Sequence, residues 1–354
     1  MMRTRRSSAP RKGGLRSLAA IVLLLALALV SLGASCRDSG GDDDPTPTAT
    51  AAATENATHG ASTTPSFAPA ETATTPPVGQ GEPGPRVETE TITVDGRERT
   101  YRLYIPRSLP SGPAPLVIGM HGGFGSGEQF ARTSRFDDEA ESGGFLAAYP
   151  NGTGVIPTWN GGRCCGYAAR EDVDDVAFIE AVIDDISRRY AVDDTLVYAA
   201  GHSNGAIMAL RLACESVRFR AVAAVAGSLE IATCGPLHPT SVLMIHGTAD
   251  QNHPLEGGVG DQSISQVAFT SVANSMDTLA PAMGCSEPDG DVKQGAITRT
   301  TWSACTDGAQ VQLLVIDGAS HAWPGGVPGI GLGGAPTNEL HATPTIWDFF
   351  AALP

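Results

Sequence analysis

The feature that most constrains this chain is a repeated pattern, an unbroken apolar run closed by glycine and a polar residue. It occurs in "PLVIGMHGG" (115–123), "TLVYAAGHSNG" (195–205), "SVLMIHGTAD" (241–250) and "VQLLVIDGASH" (311–321). Continuous apolar runs of this length read as strands buried on both faces. "FLAAYP" (145–150) and "RAVAAVAG" (220–227) read the same way. Between them lie helical patterns. Val176, Ile179, Val182, Ile183 and Ile186 fall at helical spacing, and "AIMALRLACE" follows the glycines after 200. "ETITVDGRERTYRLYIP" reads as a hairpin turned at Asp95-Gly96. "TPTIWDFFAAL" closes the chain as a helix, with Thr343 as its cap and Pro344 at its first helical position. Strands alternating with helices predict an α/β fold, a mostly parallel sheet covered by helices on both faces.

In such sheets functional groups gather at the carboxyl ends of the strands. Here four of those ends carry His121, Ser203, Asp250 and His321. Gly201-His202-Ser203-Asn204-Gly205 fits G-x-S-x-G between a buried strand and a helix. The glycines let the chain turn sharply enough to leave the serine exposed at a helix N-terminus, where developing negative charge is favoured. A serine nucleophile needs a base, and the base needs a group to orient it. In this architecture the order along the chain is serine, acid, histidine. Asp250 and His321 follow later strands in that order, with Asp317 and Glu256 as rival acids. An oxyanion site needs two N–H donors. Asn204 is expected to supply one. Gly123 or Phe124, in "HGGFGSG", would supply the other.

The remaining histidines are assigned plainer places. His202 packs beside the elbow and counts among the candidate substrate contacts; His121 braces the oxyanion loop by hydrogen bonds. His246 and His253 flank Asp250, but their spacing fits no metal-binding helix, and no metal or cofactor is expected. His238 and His341 read as surface or capping residues. The sequon Asn151-Gly152-Thr153 carries no weight behind a bacterial-type signal.

Composition separates the termini from the domain. Arg3, Arg5, Arg6, Arg11, Lys12 and Arg16 precede an apolar run, 18–32, that is short for a membrane span. Small residues and Cys36 follow, as in a lipoprotein signal whose cysteine is lipidated, although Gly33 stands where leucine is typical. Residues 1–36 are therefore read as a signal, with plain secretion or an uncleaved anchor as alternatives. Residues 37–86 are rich in Thr, Ala, Pro and acid, and Phe67 is the only aromatic. They read as a disordered tether, because they cannot bury enough apolar surface to offset ordering entropy. Residues 87–354 form the catalytic domain.

Of 23 basic and 38 acidic residues, six basic and no acidic ones lie in the leader, so the rest carries a net charge of −21. That acidity argues against nucleic acid or an anionic membrane surface as partner. Contact with a membrane is expected only through the signal or a lipid. Six cysteines remain after Cys36, an even number that suits disulfides in an exported chain. Spacing leaves their connectivity open. The favoured pairs are Cys214–Cys234 and Cys285–Cys305, each closing a modest loop, and a vicinal Cys164–Cys165.

"HGGFGSG", "YPNGT", "WNGGRCCGYA", "VDDVAFI", "GHSNGAIMALRLACE", "IHGTAD" and "GASHAWPGG" occur in an order that resembles the polyhydroxybutyrate depolymerase and feruloyl esterase-like hydrolases of the α/β-hydrolase fold. The likeness covers residues 88–354. It implies the same triad, Ser203, Asp250 and His321, acting on a small-molecule or polymeric ester. It also implies that Trp159, Asn160 and Trp323 border the substrate cleft, and that Asp174 and Asp175 are structural. Gln251-Asn252-His253 and Leu255 stand where such enzymes usually carry an apolar, Tyr-bearing run. No separate polymer-binding module follows the domain, which points toward soluble esters. Acyl transfer by the same triad and a non-catalytic surface binding protein are the competing functions.

Overall fold

The computed structural model describes residues 84–235, 238–329 and 333–354. The signal and most of the tether, Cys36 included, lie outside the described residues. In chain order the elements are β1 (Arg86–Val94), β2 (Arg97–Ile105), β3 (Ala114–Met120), α1 (Gly127–Ser134), α2 (Phe136–Gly143), β4 (Leu146–Pro150), α3 (Gly166–Arg170), α4 (Asp175–Arg189), β5 (Val192–His202) and α5 (Asn204–Glu215). They continue with β6 (Ala221–Val225), β7 (Ser241–Gly247), α6 (Val272–Ala282), β8 (Asp291–Gln294), β9 (Ile297–Trp302), β10 (Val311–Ile316) and α7 (Ala342–Ala351).

These strands form one sheet in the order β1-β2-β4-β3-β5-β6-β7-β10-β9-β8. The central run from β4 to β10 is parallel. Antiparallel strands close both edges: β2 pairs with β1 and β4, and β9 with β8 and β10. The parallel centre and the hairpin at Asp95-Gly96 match the expected α/β-hydrolase fold. β8 and β9 were not anticipated. Their sequences, "DVKQ" and "ITRTTW", are polar, and β8 is exposed along its whole length. A short charged strand of this kind blunts an open sheet edge.

Period-two alternation along the strands builds two cores. Leu116, Ile118 and Met120 of β3 face one side, with Val222 and Ala224 of β6. Val117 faces the other, with Ala221, Ala223 and Val225. On the first side α4, α5 and α6 bury Phe178, Ile183, Met208, Leu212 and Leu279; on the second, α1, α2 and α7 bury Phe130, Phe136, Ile346 and Phe350. Each large apolar side chain buried in this way contributes roughly 2 kcal/mol, well above any single helix propensity.

The start of α4 bears out the structural reading of its two acids. Asp174 caps the helix by accepting the Ala177 N–H at 2.9 Å. Asp175 is buried, paired with Arg99 at 2.7 Å, and accepts the Asn160 N–H. The closing helix starts earlier than expected. His341 is its N-cap, and Thr343 lies within the first turn. The Thr343 hydroxyl is used elsewhere, donating to Ser134 O and accepting from Trp323 Nε1, so it is not free to cap. The cysteines pair as Cys164–Cys165, Cys214–Cys234 and Cys285–Cys305.

Candidate active site

β5 ends in His202, and α5 begins at Asn204. Ser203 between them has φ 55° and ψ −120°. A non-glycine residue held there costs about 1–3 kcal/mol and persists only where its surroundings fix it. They do so by close approach. A Cβ on Gly201 would lie 2.1 Å from Gly205 O, and one on Gly205 would lie 2.3 Å from Met120 O. Ser203 N–H donates to Val225 O at 2.9 Å, tying the turn to the next strand.

β7 and β10 are neighbours, and Gly247 pairs in register with Ile316. The loops that follow therefore emerge side by side, one bearing Asp250 and the other His321. His321 Nδ1 lies 2.7 Å from Asp250 Oδ2, and its Nε2 lies 2.8 Å from Ser203 Oγ. A carboxylate only accepts, so Nδ1 carries the proton and Nε2 is free to accept one from Ser203. Burial alone would raise the Asp250 carboxyl. The His321 hydrogen bond, with help from His246 and the His253 amide, outweighs burial and holds it below its ordinary value. The rival Asp317 instead accepts from Thr248 Oγ1 at the end of its strand.

The neighbouring histidines act as braces. His202 Nε2 lies 2.6 Å from His321 O, and burial pushes its imidazole down to about 4. This ring holds the backbone of His321. His121 accepts the Gly152 N–H at Nε2 and meets Gly122 O at Nδ1, 2.9 and 2.7 Å away. It therefore braces the loop after β3 by hydrogen bonds, as expected, and burial holds it at about 4 as well. That loop presses on the elbow: a Cβ on Gly122 would lie 3.2 Å from Ser203 Cβ. Of the two expected donors, Phe124 has its N–H committed to Pro157 O at 3.1 Å. It cannot serve an oxyanion while that bond stands. Its side chain is 42% exposed.

Trp159, Asn160 and Trp323 are not open cleft walls. The two indoles are 0% and 1% exposed. Trp159 donates from Nε1 to His121 O, and its backbone is clamped by the Asn204 side chain at 2.7 and 3.0 Å. Trp323 packs edge-on against Phe130 and Phe136. Asn160 donates to Val173 O and Asp172 and accepts from Gly162 N–H. All three hold loops in place, and the motif that suggested a substrate wall marks a scaffold.

Ser228 and Glu230 were not singled out from sequence, yet both are buried behind Asp250, with His253 between. No local motif announces them, because His253, Thr270 and Arg163, which they meet, lie on other loops.

Comparison with known proteins gives the family. The family described as "Esterase PHB depolymerase" matches residues 99–250. NocK of Nocardia uniformis subsp. tsuyamanensis, named as an esterase, is 32% identical over 73% of this chain and 80% of its own. Feruloyl esterase C of Emericella nidulans is 30% identical over 78% of this chain and 94% of its own. Among solved structures, the acetyl xylan esterase from Aspergillus awamori superposes with a TM-score of 0.54 at 16% identity, covering 75% of this chain and 99% of that one. The last shows likeness of fold alone.

Proposed function

The chain belongs to the PHB depolymerase and feruloyl esterase-like family of carboxylic-ester hydrolases, and within it we propose a serine esterase working through an acyl-enzyme. The observation that carries this reading is the continuous bond line Asp250–His321–Ser203, at 2.7 and 2.8 Å, ending on a strained elbow.

Ser203 Oγ attacks the ester carbonyl while His321 Nε2 takes its proton. Asp250 keeps Nδ1 protonated and stabilises the imidazolium. The carbonyl electrons move onto oxygen, and the Asn204 and Gly123 N–H groups donate to that oxyanion. Collapse breaks the bond to the alcohol oxygen, which leaves with the proton from His321. Water, deprotonated by the same imidazole, then releases the acid and frees Ser203. Removing one oxyanion donor typically costs on the order of 3 kcal/mol in the barrier.

The names of the family and its relatives favour feruloyl or hydroxybutyrate esters as substrates. With Trp159 and Trp323 buried, Phe124 is the aromatic left open beside Gly123 to meet an apolar substrate group. The basic, apolar, Cys36-terminated leader and the paired cysteines support an exported enzyme, tethered through residues 37–86 and lipidated at Cys36. Hydrolysis of p-nitrophenyl acetate and butyrate by the wild type and by Ser203→Ala tests the chemistry. Equal rates, or none from the wild type, would reject it. Release of Cys36→Ser from membranes tests the anchor, and unchanged retention would rule out lipidation.

A further inference from the structure

Asp250 is not held by His321 alone. Its Oδ1 accepts the N–H groups of Asn252 and His253 at 2.9 and 2.8 Å. The His253 carbonyl in turn lies 2.8 Å from His246 Nε2, and that nitrogen also stands 3.6 Å from Asp250 Oδ2. The peptide groups on both sides of His253 therefore set the carboxylate. The orientation of the acid depends on what fixes His253.

His253 is 2% exposed, and its ring stacks on Phe269 at 3.9 Å. Its Nε2 lies 2.7 Å from Ser228 Oγ, and that hydroxyl lies 2.8 Å from Glu230 Oε1. A carboxylate only accepts, so the single Ser228 proton goes to Glu230, and Ser228 accepts from His253 Nε2–H. Glu230 is 1% exposed. It also accepts the Thr270 N–H at 2.8 Å and pairs with Arg163 at 2.6 Å. The Arg163 side chain, 58% exposed, ends the chain at the surface. Each link has a fixed donor and acceptor, so the chain demands an N–H at the Nε2 position of residue 253 as well as a ring.

We propose that His253 is a positioning residue for the catalytic acid, its ring locked by the buried Ser228–Glu230–Arg163 chain so that its peptide groups aim Asp250 at His321. This rests on the serine-esterase reading above. It also gives a role to the Gln251-Asn252-His253 run.

The test compares His253→Phe, which keeps a stacking ring but no donor, with His253→Gln, which restores an N–H near the same place. On a p-nitrophenyl ester, His253→Phe should lower kcat on the order of tenfold or more with KM little changed, since a small misplacement of a reacting group is enough for that. His253→Gln should recover most of the loss. Ser228→Ala should act in the same direction, and the double variant His253→Phe/Ser228→Ala should be no worse than the poorer single one. The downfield proton resonance of His321 Nδ1–H, read in the folded protein, should shift or broaden in His253→Phe and return in His253→Gln. If His253→Phe does not fold, Arg163→Met loosens the chain from its exposed end and should give a smaller loss in kcat alone. Full activity in folded His253→Phe or Arg163→Met, a loss confined to KM, or no rescue by glutamine would overturn the proposal. A wild type that hydrolyses no ester would instead reject the esterase reading, and the His321 resonance would still report on the positioning.

Discussion

Two loops at the same end of the sheet hold Ser203 and Asp250 by different means. The elbow after β5 is held by exclusion: backbone atoms stand 2.1 and 2.3 Å from where side chains on Gly201 and Gly205 would begin. The loop after β7 is held by attraction. Asp250 is fixed by N–H groups, which are fixed by the His253 ring, which is fixed by Ser228 and Glu230. Exclusion acts over a few residues and leaves a local signature. Attraction here depends on the His253–Ser228 and Thr270–Glu230 bonds, between residues 25 and 40 positions apart in the chain, and leaves none. The elbow should therefore fail abruptly, through stability, and the acid loop gradually, through turnover.

The largest effect is expected at Asp250, which reaches Ser203 through His321. Asp250→Asn keeps the shape but lets His321 present the wrong tautomer to Ser203, and kcat should fall by about four orders of magnitude. A loss below tenfold would mean that another group orients the base. Next is Gly205→Ala. Its new methyl would meet Met120 O and His121 O, which are backbone atoms with no rotamer to yield. Destabilisation of about 3 kcal/mol or more is expected by denaturant unfolding. An unchanged midpoint would show that the elbow is not sterically fixed.

The most gradual effect is on stability in acid. Burial holds His121 and His202 at about 4, against an ordinary 6.5, and lowers His246 and His253 too. Between those values the unfolded chain takes up protons that the folded one refuses, so stability is present near neutrality and lost as the pH falls from 6.5 toward 4. The carboxyls of buried Asp175 and half-buried Glu139, both raised mainly by desolvation, oppose this. Four histidines against two carboxyls set the sign. The Tm should decline across this window, and a flat profile would contradict neutral buried histidines.

The same contrast explains what could be read in advance. Strands β3, β5, β6, β7 and β10 were legible because a strand buried on both faces must be apolar throughout. That Ser203, Asp250 and His321 would come together was legible because the strand ends place them and chain order restricts the choice. The β8–β9 edge was not, since polar residues at a sheet margin look like loop. Helix α1 was also passed over, although Ser126 caps it by accepting the Gln129 N–H at 3.1 Å. Trp159 and Trp323 were misplaced because a motif records that residues occur together, not which of them faces the substrate. Their indole N–H groups end on His121 O and Thr343 Oγ1, inside the protein.

Covalent capture tests the central claim, that Ser203 is the nucleophile, most directly. The protein is incubated with diethyl p-nitrophenyl phosphate, and the adduct is located by peptide mass spectrometry. One diethylphosphoryl group should appear on the peptide containing Ser203, form far more slowly in His321→Ala, and be absent in Ser203→Ala. An adduct on another residue, or labelling of Ser203 at the same rate without His321, would contradict it.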